Sequence, residues 1–159
     1  MYAICLRYIQ EETTAEDVLI KGFTKIFEKI EQYKGDGSFE GWMRRVMVNE
    51  SLQYIRKNKN MHLTADIETA HQVIDFEAIE SQMAADDLLK IIGELPDGYR
   101  TTFNLYAIEG YSHQEIADML NISVNTSKSQ LSRARALLRK ALTDFSKVSS
   151  QENTISHEG

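Results

Sequence analysis

The sequence predicts an all-α fold made of two small helical domains joined by a flexible acidic linker. Three observations point there: the chain holds a single proline, it lacks alternating β-branched runs, and its apolar residues recur at three and four spacing. Its length of 159 residues leaves one ordinary domain or two small ones equally open, so the division rests on where periodicity fails.

The first long helix is expected from Thr14, whose hydroxyl is suited to cap it, with Glu16 and Asp17 at the positive end of the dipole. Val18, Leu19, Ile26, Phe27 and Ile30 supply its apolar face. It ends before Lys34-Gly-Asp-Gly-Ser38, where the glycines break the pattern, and Ser38 is placed to cap a second helix through Trp42, Val46, Val48, Leu52 and Ile55 to about Lys57. Periodicity then lapses. From Asn58 to Glu77 the chain is polar and acidic, which suits a tether. Helical spacing returns at Ile79, Met83, Leu88, Leu89, Ile91 and Ile92. Leu95-Pro96-Asp97-Gly98 is a turn, and Tyr99 to Ile108 a further helix closed by Gly110. These breaks set the expected organisation: 1–58, an N-terminal helical domain; 59–78, a linker; 79–145, a C-terminal helical domain; and 146–159, a disordered polar tail.

Two helix starts follow in quick succession. Ser112-His-Gln-Glu115 has the pattern of a capping box opening a helix that carries Ile116, Ala117 and Leu120. Asn121 suits a left-handed turn, Ile122 is free to tuck inward, and Ser123 caps the next helix. This is a helix-turn-helix, with small Ala117 where the helices approach closely. On its second helix Val124, Leu131 and Ala134 fall near the inward face and Asn125, Lys128, Ser129, Ser132 and Arg133 on the outward one. Hydroxyls and an arginine near a helix start are suited to major-groove readout, and Lys128, Arg135 and Arg139 to neutralising phosphates.

A net charge of -6 argues against nucleic acid only if charge is spread evenly. It is segregated instead. Arg44, Arg45, Arg56, Lys57 and Lys59 face only Glu50, and Lys128, Arg133, Arg135, Arg139 and Lys140 stand among no acids, while the segment from Asp66 to Asp97 is dominated by carboxylates. Cys5 is the lone cysteine and His62, His71, His113 and His157 are scattered, so neither a disulfide nor a metal centre is expected, and no cofactor. With no leader or run of about 18 apolar residues, a cytoplasmic protein without membrane insertion is expected. No nucleophile and base pair or phosphate loop suggests an enzyme. The residues by themselves lead to a DNA-binding helical protein.

Two groups of motifs go further. Leu95-Pro96, Tyr99-Arg100, Ile108-Glu-Gly-Tyr-Ser-His-Gln-Glu-Ile-Ala117 and Thr126-Ser-Lys-Ser-Gln-Leu-Ser-Arg-Ala-Arg135 closely resemble region 4 of sigma factors of RNA polymerase (sigma-70 family), extracytoplasmic-function (ECF) type. Ala15-Glu-Asp-Val-Leu19, Phe23, Phe27, Gly37-Ser-Phe-Glu-Gly-Trp-Met-Arg-Arg45, Asn49 and Arg56-Lys57 resemble region 2 of the same family. The resemblance spans roughly residues 2 to 57 and 84 to 142, and the two motif groups in this order are more specific than either alone.

The resemblance implies an initiation subunit that binds core RNA polymerase, recognises promoter DNA at two elements, helps to melt it and answers to an anti-sigma factor. By this likeness Ser129, Ser132 and Arg133 contact bases of the minus-thirty-five element, with Thr126, Lys128 and Gln130 on or near phosphates. Arg44, Arg45, Arg56 and Lys57 lie along the minus-ten backbone, and Asn49 is near an unstacked base. Glu16, Asp17, Phe23 and Phe27 dock on the clamp helices of the largest polymerase subunit, where Ile20 replaces the family's usual glutamine. The linker runs through the active-site cleft and RNA exit path. The likeness further implies a helix ahead of the first one here, so the N-terminal domain is expected to be shortened relative to the family. Trp42 and Phe39 are able to stack on bases, but aromatics at helical spacing are expected to be core, as are Tyr99 and Tyr106. Two alternatives remain beside a sigma factor: a free-standing helix-turn-helix regulator, and a sigma-like decoy that sequesters an anti-sigma factor.

Overall fold

A computed structural model describes residues 1–58 and 85–155, and every element in them is helical. The chain divides into two compact units, Met1–Leu63 and Thr64–Gly159. The expected linker at 59–78, the start of the expected C-terminal domain at 79–84 and the last residues of the tail, 156–159, lie outside the described residues.

In the first unit, α1 (Tyr2–Tyr8), α2 (Glu12–Glu28) and α3 (Phe39–Asn58) pack pairwise, with a short 3-10 turn at Ile30–Gln32. Ile4, Cys5, Tyr8 and Ile9 meet Ala15, Val18 and Ile26 from α2 and Met47, Val48, Leu52 and Ile55 from α3. Burial pushes the Cys5 thiol pKa upward, in keeping with a packing role. At Gly22 the two long helices come so close that a Cβ would overlap the sulfur of buried Met47. Lys25 and the nearly buried Glu50 form an ion pair between α2 and α3, and Lys25 Nζ also donates to Gln53 Oε1 at 3.3 Å.

Ser38 caps α3 by accepting from the Gly41 N–H at 3.0 Å, as predicted. Thr14 does not cap α2. The helix begins at Glu12, and the Glu11 carboxylate accepts from the hydroxyls of Thr13 at 3.0 Å and Thr14 at 2.5 Å, so Thr14 serves a side chain rather than the helix start. Phe27 and Ile30, expected on the inward face, are 70% and 46% exposed. The neighbouring helices bury the stripe through Ala15, Val18, Gly22 and Ile26 and leave the flank uncovered.

In the second unit α4 (Ala85–Gly93), α5 (Asp97–Phe103), α6 (His113–Leu120) and α7 (Val124–Ile155) follow one another, α7 packing on each of the others. Ile92, Leu95, Phe103, Leu131, Ala134 and Leu138 form the core, flanked by Leu88, Ile91, Tyr99, Tyr106 and Ile108. Tyr99 and Tyr106 therefore pack as expected. Asp97 and Gly98 belong to α5 rather than to a turn, because Pro96 stands at its N-cap. The predicted helix from Tyr99 to Ile108 widens into a π-turn at Asn104–Ile108, where the Glu109 N–H donates to the Asn104 carbonyl at 3.0 Å. The last helix runs to Ile155, past the expected end near Leu142; neither glycine nor proline interrupts this stretch.

Arg100 ties the turn between α4 and α5 together. Only 3% exposed, it donates through Nη1 to the carbonyls of Gly93 at 3.1 Å and Leu95 at 2.8 Å and through Nη2 to Asp97 Oδ1. It answers carbonyls that the end of α4 leaves without intrahelical partners. Replacing Arg100 by alanine is expected to cost the second unit about 2–4 kcal/mol in urea unfolding. Asp97→Asn, at a half-exposed position, is expected to cost less.

Candidate nucleic-acid interface

The helix-turn-helix is built by local hydrogen bonds. The Ser112 N–H donates to Glu115 Oε2 at 2.8 Å and the Glu115 N–H to Ser112 Oγ at 3.3 Å, completing the capping box. Asn121 turns left-handed at φ 55°, and the Ile122 N–H reaches back to the Ala117 carbonyl at 3.0 Å. Ser123 Oγ accepts from the Thr126 N–H at 2.9 Å. Ile122 is half-buried, while Ile116, Ala117 and Leu120 are buried.

On α7, Ser127, Gln130, Leu131, Ala134 and Leu138 are buried. Asn125, Lys128, Ser129 and Ser132 recur at three and four spacing and share an exposed or half-exposed face, beside half-exposed Arg133 and Arg135. Ser129 Oγ donates to the Thr126 carbonyl at 3.0 Å, and Thr126 Oγ1 lies 2.8 Å from Ser123 Oγ. Arg133 donates through Nη1 to the Tyr99 hydroxyl at 3.2 Å, which braces it against α5. Gln130 departs from the expectation. It is 4% exposed and accepts from Thr102 Oγ1 at 2.6 Å, so its amide packs between α5 and α7 and is withdrawn from the phosphate contacts.

The sequence singles out His113 only as one of four scattered histidines. Its Nδ1 is 2.9 Å from Ser127 Oγ and its ring stacks on Tyr106 at 4.6 Å, with the Arg135 guanidinium 5.7 Å from the same Tyr106 ring. Burial, then Lys128 and Arg135, hold its pKa below the ordinary value. The sequence signal for this role was slight, a histidine one residue after a cap.

In the first unit, Arg45, Asn49 and Arg56 share an exposed face of α3 with Gln53, and Lys57 is exposed beside them. Arg44 is turned aside, half-buried, 3.8 Å from Glu40. Trp42 was expected in the core and is instead half-buried in an aromatic cluster, stacked on Phe39 at 5.6 Å and 5.8 Å from Tyr33. That cluster lies against the loop before α3, where the Tyr33 hydroxyl donates to the Gly37 carbonyl at 2.8 Å. On α2, Glu16, Asp17, Ile20, Phe23 and Phe27 are all exposed, an apolar strip led by carboxylates. No helix among the described residues is long and apolar enough to cross a membrane.

Residues 1–61 match the family description Sigma-70 region 2, and residues 85–138 match Sigma-70, region 4. The chain is 30% identical over 157 residues to ECF RNA polymerase sigma factor SigW of Bacillus subtilis, with 91% of this chain and 84% of the relative covered. It is 28% identical over 151 residues to RNA polymerase sigma-H factor of Pseudomonas aeruginosa, covering 87% and 78%. In fold it is similar to the sigma factor RpoE from Bartonella quintana, solved in complex with the anti-sigma factor NepR, with a TM-score of 0.57 over 89% of each chain at 20% identity.

The exposure of the α2 strip has a consequence for stability. Phe27→Ser is expected to leave urea unfolding of the first unit within about 0.5 kcal/mol of wild type. Ile26→Ala, one residue away on the buried face, is expected to cost about 2–5 kcal/mol.

Proposed function

The chain belongs to the sigma-70 family of RNA polymerase sigma factors, of the extracytoplasmic-function type, and from that premise we propose how its residues share the work. As a sigma factor it binds core polymerase and directs promoter recognition and transcription initiation. The observation that carries the residue assignment is the acid-free outward face of the first part of α7, from Asn125 to Lys140, presented by a capped left-handed turn. We assign Ser129, Ser132 and Arg133 to base edges of the minus-thirty-five element, and Thr126 and Lys128 to its phosphates.

The face of α3 carries the second assignment. Arg45, Arg56 and Lys57 would follow the minus-ten backbone, with Arg44 at its margin, while exposed Asn49 addresses an unstacked base. A base held out of the duplex needs hydrogen-bonding groups beside a basic track, and aromatic planes such as Phe39 and Trp42 favour unstacked bases. Glu16, Asp17, Phe23 and Phe27 would dock on polymerase, where burial of the apolar strip supplies the driving force. The proposed organisation is 1–58 for docking and melting, 59–78 as tether and 79–145 for upstream recognition. Tethering raises the effective concentration of the second unit once the first is engaged, so neither needs to bind DNA tightly alone.

The chain performs no chemistry of its own in this scheme; catalysis belongs to the polymerase, and the cytoplasm is where the two meet. The fold likeness to a sigma factor held by its anti-sigma factor supports an anti-sigma factor as a further partner.

Run-off transcription with purified core polymerase on a genomic promoter library tests the scheme. Specific initiation is expected, and silence from a folded chain overturns it. Within an active holoenzyme, Arg133→Ala is expected to weaken use of the preferred promoter by about 1–3 kcal/mol and to relax discrimination at one base pair. Lys128→Ala is expected to weaken upstream binding alike on all sequences and to lower the salt slope by about one.

A further inference from the structure

We infer that His113 is a positioning residue for the recognition helix: stacked on Tyr106 and hydrogen-bonded to Ser127, its ring fixes the seat from which Ser129, Ser132 and Arg133 face DNA. The inference rests on the assignment of α7 to promoter readout.

The geometry joins three elements at one point. His113 opens α6, Tyr106 stands in the π-turn that follows α5, and Ser127 is a fully buried residue of α7 flanked by the proposed phosphate contacts Thr126 and Lys128. The rings are 4.6 Å apart at 23°, and Nδ1 and Ser127 Oγ share a hydrogen bond at 2.9 Å. A turn of the ring would therefore break the side-chain link between α6 and α7 at the position where the outward face of α7 begins. The site is also built for an uncharged ring. The charges acting on it from α7 are two cations, Lys128 and Arg135, and from the π-turn, whose C-cap is Glu109, the Tyr106 ring stacks on it. Glu115, the acid on its own first turn, is engaged with the Ser112 cap. The positive end of α6 opposes a cation as well.

The sign of the pH effect follows. Burial first, then Lys128 and Arg135, depress the pKa of His113 from its ordinary 6.5. The seat's contribution is fully present above that ordinary value and is lost as pH falls through the lower, folded-state pKa. A protonated ring would add attraction for any phosphate backbone, so raw affinity mixes two effects. Discrimination between sequences isolates the seat, because an added charge strengthens binding to all duplexes alike.

The test uses the full chain with core polymerase and a promoter whose minus-thirty-five segment wild type has selected from a randomised library, against the same promoter with that segment scrambled. The readout is the ratio of run-off transcripts at about pH 7.5 and at about pH 5, the lower end set well below an ordinary histidine because the pKa of His113 is depressed. For wild type the ratio is expected to fall about fivefold toward acid, because the charged ring, although still able to donate to Ser127 Oγ, is repelled by Lys128 and Arg135 and opposed by its burial. His113→Asn places an amide near the Nδ1 position and does not titrate, so its ratio is expected to be flat with pH. His113→Phe keeps a stacking ring without the hydrogen bond, and its ratio is expected to be low throughout; should it fail to fold, Ser127→Ala makes the same comparison with the histidine intact.

Matching pH profiles for wild type and His113→Asn, or wild-type discrimination from the variant that lacks the hydrogen bond, overturns the inference. A wild-type holoenzyme that initiates but ignores the scrambling overturns the upstream-readout assignment beneath it, and this inference with it.

Discussion

A helical unit of some sixty residues has too little interior to hide all of its apolar side chains, and this limit governs the molecule. In the first unit α2 is covered on one stripe by α1 and α3, where Ala15, Val18, Gly22 and Ile26 are buried. Ile20, Phe23, Phe27 and Ile30 are left on the open flank. The second unit leaves Leu89 and Leu137 exposed in the same way, at 44% and 42%. These side chains remain available for burial, and covering those of α2 is what the proposed docking on polymerase would supply.

Several of the polar groups near the cores have partners that cross between elements. Arg100 spends its donors on the end of α4 and on Asp97, Thr102 meets Gln130 across two helices, and Lys25 meets Glu50 between α2 and α3. These contacts join one helix to another within each unit. They leave the exposed faces of α3 and α7 free for cations and amides, which is how a chain of net charge -6 presents two basic surfaces.

Local features were legible in the sequence. The capping box of Ser112 and Glu115, the left-handed Asn121 and the caps at Ser38 and Ser123 depend on residues three or four apart, and each is present. Features set by distant residues were not. Gln130 has the look of a surface amide until Thr102, 28 residues earlier in the chain, is seen to satisfy it. Phe27 and Ile30 fit an apolar face whose covering is decided by the crossing of other helices. Trp42 fits a core pattern, yet its neighbours are Phe39 and Tyr33 beside a loop. Glu11 displaced Thr14 at the start of α2 because a carboxylate one turn earlier competes for the hydroxyl. The same distinction explains His113, whose role depends on Tyr106 and Ser127 rather than on its own neighbours.

Site-specific photocrosslinking within the active holoenzyme tests the division of promoter recognition most directly. With a crosslinking side chain at position 129, the account predicts attachment to duplex DNA at the minus-thirty-five element; at position 49 it predicts attachment to the unpaired strand at the minus-ten element. Attachment of both positions to the same element, or of neither to DNA in a holoenzyme that initiates, would contradict it.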